Sequence, residues 1–224
     1  VRNILPEGEQ YELFQSWLAD VASFLQTLTF ADGTPVPFIF RPWHEYNGSW
    51  FWWGENNCSA EEYKQLWNMT QDYLNEQLPG QIVWANTPNL RTENTLAHFL
   101  ERWPGDERVD ILGPDAYQWT KDESQAQRFY NNVRRELTFI SQYAAEHNLL
   151  IALTECGNKN DTYEMWWTQV LQPAVEGFPI VYFLTWRNAP HEHFGALPNS
   201  TSTADFVQFY NDPKTLFVRD LVGL

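Results

Sequence analysis

Five short apolar runs punctuate the chain: VPFIF from Val36, IVWAN from Ile82, VDILG from Val109, LLIALTE from Leu149 and PIVYFLTW from Pro179. They are continuous rather than alternating, as expected of strands in a parallel sheet covered on both faces. Between them lie segments with apolar residues at helical spacing, predicting helices over Tyr11–Leu28, Ser59–Gln77, Thr92–Arg102, Asp122–His147 and Thr162–Val175. Ser59-x-x-Glu62 and Thr120-x-x-Glu123 are capping-box patterns, which satisfy orphan amide hydrogens of a first helical turn. Counted from Val36, Ile82, Val109, Leu149 and Ile180, the strands recur after 46, 27, 40 and 31 residues, the rhythm of repeated strand–helix units.

Polar and aromatic residues gather where these strands end: Arg41 to Glu45, then Asn86, Asp115 to Tyr117, Glu155, and Trp186 to Asn188. In a (β/α)₈ (TIM) barrel the carboxyl-terminal strand ends converge on one mouth, which carries the active site. A doubly wound sheet gathers residues similarly, but no Gly-rich phosphate turn is present to support it. Five strands are fewer than eight, and a full barrel runs to about 250 residues. Without internal repeats or low-complexity tracts, the 224 residues read as one domain.

Composition narrows the partner. With a formal net charge of −15, the chain repels phosphate backbones and anionic lipid, so neither nucleic acid nor a membrane surface is expected. A neutral polysaccharide escapes that penalty, and 12 tryptophans supply flat apolar faces with an N–H to spare, suited to sugar rings. No apolar run reaches the roughly 18 residues of a membrane span. Cys58 and Cys156 are too few for a disulfide framework and read as free thiols. Asn-x-Ser/Thr sequons occur at Asn47, Asn57, Asn68, Asn160 and Asn199, and a glycan on Asn47 would obstruct the aromatic stretch around it.

Glu45 and Glu155 stand at strand ends 110 residues apart. Glycoside hydrolysis gives two such carboxylates work, one as proton donor to the leaving oxygen, the other attacking the anomeric carbon or activating water. A surface loop is the ordinary fate of a glutamate; placement inside aromatic and polar clusters argues against it here. Arg41 is placed to pair with a carboxylate, favouring its ionised form. The Tyr117 phenol either orients a carboxylate or packs with its tip in water, and His44 is either a neighbouring donor or a sugar contact. Residues Trp50 to Trp53 alternate in direction, so the aromatic cluster divides between core and surface. His191-x-His193 has no Cys or third His nearby, and no metal or cofactor is expected.

Taken together, RPWHEYNGSWFWWG, DAYQW, LTECG and LTWRNA resemble glycoside hydrolase family 26, and within it the β-1,4-mannanases, from the first helix to TADFVQFYNDPKTLF. The resemblance implies a (β/α)₈ barrel. It also implies endo-acting hydrolysis of β-1,4-mannosidic linkages in mannan, galactomannan or glucomannan, with retention of configuration. Glu45 would be the general acid/base, with His44 shaping the site, Trp50 as a sugar platform, and Arg41 and Asn47 in support. Glu155 would be the nucleophile, with Tyr117 of the Asp115-x-Tyr117 motif hydrogen-bonded to it. Trp186 would lie under the sugar and Arg187 toward the distal glycone side. Aligned by motif, residues 1–224 supply strands four to eight of a partial catalytic domain, and about a hundred further amino-terminal residues are expected. The family also implies a secreted or periplasmic enzyme acting on a mannan-type polysaccharide; no protein partner is indicated. Mixed-linkage β-glucan and β-1,3-xylan remain alternative substrates. A non-catalytic polysaccharide-binding protein is a further alternative, against which the strand–helix alternation speaks, since binding modules are mostly β-sandwiches.

Overall fold

The computed structural model describes residues 1–221 and gathers all five apolar runs into one sheet. Its strands are β1 (Phe38–Phe40), β2 (Ile82–Asn86), β3 (Ile111–Leu112), β4 (Asp115–Gln118), β5 (Leu150–Asn158) and β6 (Ile180–Thr185). β3 and β4 are halves of one run: both pair with β5, Ile111 opposite Leu150 and Asp115 opposite Glu155. The interruption falls at Gly113-Pro114, where proline has no amide hydrogen for the ladder. Every pairing in this sheet is parallel and joins consecutive runs, so the sheet curls as a half-barrel.

Parallel neighbours need crossovers, and helices supply them. α2 (Ala60–Gln77), α3 (Leu96–Glu101), α4 (Glu123–His147) and α5 (Gln172–Val175) lie in the four crossovers, while α1 (Tyr11–Gln26) precedes β1 and α6 (Thr203–Tyr210) follows β6. Their apolar stripes bury against one face of the sheet. Trp67 of α2 meets Trp84 of β2 with ring centroids 6.0 Å apart, and Phe129 of α4 meets Trp166 at 5.6 Å. Leu137 and Ile140 of α4 and Leu153 of β5 are fully buried in this layer, each worth roughly 1.5–3 kcal/mol of transfer free energy. The sheet's other face carries a smaller cluster, Ala85, Ile111 and Ala152, with Val83 and Tyr182 beside it.

Two local expectations divide. The box at Ser59 forms in full, with the Glu62 amide donating to Ser59 Oγ at 3.1 Å and the Ser59 amide to Glu62 Oε2 at 2.9 Å. The box at Thr120 does not form. There α4 begins at Glu123 with Asp122 as its cap residue, because the Thr120 hydroxyl is already committed to Asp122 Oδ2 at 2.8 Å and the Thr120 carbonyl to Gln118 at 2.9 Å. The fourth crossover also departs from the expected Thr162–Val175 helix: a π turn over Trp167–Leu171 precedes α5. Pro173 follows that turn, and in a regular helix its ring would collide with the carbonyl four residues back. Among the described residues no helix is long and apolar enough to cross a membrane.

Candidate active site

The carboxyl-terminal ends of β1, β4, β5 and β6 meet at one edge of the sheet. Leaving β1, Arg41 spans the strand ends: Nη1 donates to Thr87 Oγ1 at 3.0 Å and pairs with Asp115 Oδ2 at 2.9 Å, while Nη2 pairs with Glu155 Oε1. The backbone then turns sharply. Trp43 and Glu45 both have φ of +52°, a left-handed conformation that costs a residue with a β-carbon roughly 1–2 kcal/mol. The Glu45 amide, donating to the Thr87 carbonyl at 2.7 Å, holds this turn against the end of β2.

Glu45 receives a donor on each oxygen. Trp50 Nε1 donates to Oε2 at 2.7 Å and Asn89 Nδ2 to Oε1 at 2.7 Å. Gly48 makes the first contact possible: a β-carbon there would lie 2.3 Å from the Trp50 ring. Glu155, 6% exposed, is held by Arg41 on Oε1 and by the Tyr117 hydroxyl on Oε2. The two carboxylates therefore differ in environment, one meeting neutral donors and the other a cation and a phenol.

Electrostatics follow from burial. The Asp115 carboxyl, fully buried, is pushed up to about 7 despite the Arg41 guanidinium and the Thr154 hydroxyl, which donates at 2.7 Å. Tyr117 is pushed above the ordinary phenol value by burial and by the negative charges of Asp115 and Glu45, so its hydroxyl stays a donor. His44 is pushed down to about 4 by burial, with Arg41 adding to the effect, and is neutral at neutral pH. Its ring packs 4.7 Å from Phe51 and 5.9 Å from Trp53.

The tryptophans divide as alternation requires. Trp43 and Trp53 pack against the core 5.4 Å apart, whereas Trp50 and Trp52 are about half exposed, at 56% and 46%. Asn47 is buried with both ends of its amide engaged, which leaves no room for a glycan. Cys58 and Cys156 are both unpaired. After β6, Trp186 packs 5.6 Å from Tyr117 and 5.0 Å from Phe194, with the Arg187 guanidinium 4.5 Å above its ring. A hairpin of β7 (Asn188–Ala189) and β8 (Glu192–His193) carries Glu192, which pairs with both Arg187 and Lys159.

Three participants escape strand-end reasoning. Asn89 lies three residues beyond β2, and Asn86, the residue that ends the strand, is instead buried against Tyr63. Trp119, 51% exposed, stands 5.5 Å from Tyr117. Phe194 forms the floor beneath Tyr117, Trp119 and Trp186, and a β-carbon on Gly157 would come within 2.4 Å of it. The DAYQW motif, which ends on Trp119, held the signal for that residue; nothing in the sequence marked Asn89 or Phe194.

The family model described as glycosyl hydrolase family 26 matches residues 3–213. The chain belongs to that family. A mannan endo-1,4-beta-mannosidase of Bifidobacterium adolescentis is 31% identical to this family 26 chain over 95% of its length and 23% of the relative's. A second, from Bacillus subtilis, is 27% identical over 89% of this chain and 49% of its own length. Among solved structures, a GH26 beta-mannanase from Bacteroides ovatus superposes with a TM-score of 0.91 at 38% identity, covering 97% of this chain and 62% of that one. The catalytic domain of a GH26 endo-beta-1,4-mannanase from Bacillus sp. JAMB-750 gives 0.89 at 35% identity, covering 99% and 62%. The family 26 chain thus spans at most half the length of these two curated relatives.

Proposed function

We propose that the protein containing this chain is an endo-acting, retaining β-1,4-mannanase, acting on mannan, galactomannan or glucomannan outside the cytoplasm, where an intact polymer can be reached. The observation that carries this reading is the contrast between Glu45 and Glu155 at one mouth, the first held by neutral donors and the second by a cation and a phenol. Two carboxylates in unlike environments suit an acid and a nucleophile. The names of the relatives supply the mannan.

In the first step, the Glu155 carboxylate attacks the anomeric carbon from the face opposite the leaving group. The glycosidic bond breaks and its oxygen takes the proton of Glu45. Tyr117 and Arg41 fix the attacking carboxylate, and Trp50 and Asn89 fix the donor. In the second step, Glu45, now ionised, takes a proton from water, the oxygen attacks the same carbon, and the ester to Glu155 breaks. Two inversions give net retention, and the carboxyl groups should stand about 5–5.5 Å apart. Trp186, with the Arg187 guanidinium 4.5 Å from its ring centroid, is assigned to the sugar-stacking position and Arg187 to the distal glycone side.

Residues 1–224 form, on this reading, strands four to eight of a (β/α)₈ barrel in one partial catalytic domain. The curled parallel half-barrel and its 62% coverage of the related structures support the assignment. Hydrolysis of mannan, galactomannan, barley β-glucan and β-1,3-xylan side by side tests the substrate. Mannan-type polymers should be cleaved internally to oligosaccharides, and Glu155→Ala should lower that rate by at least about 10⁴-fold. Faster release from β-glucan or β-1,3-xylan, or an undiminished Glu155→Ala rate, would refute it.

A further inference from the structure

Behind Glu45 runs a buried polar chain that ends on a helix. Asn89, whose side chain donates to Glu45, is itself gripped at its peptide: its amide donates to Asn47 Oδ1 at 2.7 Å, and its carbonyl accepts from Asn47 Nδ2 at 2.8 Å and Asn94 Nδ2 at 3.0 Å. Asn47 Nδ2 also donates to Asn94 Oδ1 at 3.3 Å. Asn94 in turn donates to Glu136 Oε1 and Oε2 at 3.1 and 3.0 Å. Glu136 belongs to α4 and is completely buried, and Asn47 and Asn94 are 4% and 7% exposed. A relay four side chains long thus connects the back of a helix to one oxygen of Glu45.

The same helix grips this loop at two further points. Arg135 Nη2 donates to the Arg91 carbonyl at 2.6 Å, and Asn132 Nδ2 to Thr92 Oγ1 at 3.3 Å. A buried ionisable side chain is costly where an apolar one of equal size would pack more cheaply, so Glu136 needs a reason beyond filling space. Its side-chain hydrogen-bond partner among the described residues is Asn94, whose Nδ2 reaches both carboxyl oxygens, and the Asn89 carbonyl and Asn47 Nδ2 on the other side fix which way that amide points. With the amide reversed, its oxygen would face Glu136 and the Asn89 carbonyl, and its nitrogen would face the Asn47 nitrogen. The whole relay would lose its order.

We propose that Glu136 and Asn94 are positioning residues for Glu45, acting through Asn47 and Asn89 to hold the proton donor on the glycosidic oxygen. This rests on the acid/base role proposed above for Glu45. It is separable from that role because a substrate with a good leaving group departs without a proton. A misplaced acid therefore slows mannan far more than an activated aryl glycoside, whereas general loosening of the fold slows both.

The test compares kcat/KM on mannan oligosaccharides and on a 2,4-dinitrophenyl β-mannobioside in the protein that contains this chain. Asn94→Ala and Glu136→Leu should each lose about tenfold or more on the oligosaccharides and no more than about threefold on the aryl substrate. Glu136→Gln keeps an acceptor toward Asn94 and should recover most of the loss. Asn94→Ser serves if the alanine variant does not fold. Equal losses on both substrates, unchanged activity on both, or no recovery in Glu136→Gln would overturn the proposal. Glu45→Ala is the control: if it fails to separate the two substrates, the acid role of Glu45 is itself wrong, and the positioning role falls with it.

Discussion

At the scale of single residues, the two carboxylates differ in how replaceable their neighbours are. Tyr117→Phe removes the phenolic donor on Glu155 while keeping the ring against Trp186 and Phe194. Trp50→Phe removes the indole donor on Glu45 while keeping an aromatic face at the mouth. A hydrogen bond to a charged group is worth about 1.5–3 kcal/mol, so each variant should lose roughly 10- to 100-fold in kcat/KM on mannan. Steady-state kinetics check this, and a fall of less than twofold in either would remove that contact from the mechanism. Arg41, Glu45, Asp115, Tyr117 and Glu155 were legible because each sits at or just past the end of an apolar run, where parallel strands deliver side chains to one edge. Asn89 was not, since an asparagine in a loop reads as turn chemistry, and only the path of that loop carries it back to Glu45.

Elements show where local patterns hold and where they yield. The Ser59 and Thr120 motifs are alike in sequence, yet only the first caps a helix, because the hydroxyl and carbonyl of Thr120 are taken by Asp122 and Gln118. Ser59→Ala should therefore lower stability by about 1 kcal/mol, and Thr120→Ala should stay within about 0.5 kcal/mol of the parent. Urea midpoints at unchanged m-value measure both, and equal shifts would contradict the distinction. The strand runs were read correctly as parallel, but the expectation that all are covered on both faces holds only for the interior of the sheet: β1 and β6, at its two edges, have no buried residue, and Ile39, Val181 and Leu184 are about half exposed. The division of VDILGPDAY into β3 and β4 was not read, although Gly113-Pro114 lay in plain view. Its consequence is functional, since β4 re-enters the ladder with Asp115 opposite Glu155.

For the molecule as a whole, buried acids tie stability to pH. Burial pushes Glu136 up to about 8, opposed by Asn94 and Arg135 and reinforced by Asp115, while Asp115 itself is raised to about 7. Between the ordinary carboxylate value and these raised values, the native state holds protons that the unfolded chain has released. The contribution of these two acids to stability is therefore lost as pH rises from about 4.5 to about 8, while buried His44, lowered to about 4, acts in the opposite sense over the lower part of that range. Glu136→Gln removes the larger part of that window, so urea unfolding at pH 5 and pH 8 should differ less in the variant than in the parent. An identical pH dependence would show that Glu136 is ionised in the fold. The acidic surface that the composition announced is a separate matter from these interior acids, which no count of charges reveals.

The assignment of Glu155 as nucleophile is open to direct chemical capture. A 2-deoxy-2-fluoro-β-mannosyl fluoride forms the glycosyl-enzyme quickly and releases it slowly, so peptide mass mapping of the inactivated protein should find one fluoromannosyl group on the peptide containing Glu155. An adduct on Glu45 or any other carboxylate, or an inverted α-anomer as the first product of mannan cleavage with no adduct formed, would contradict it.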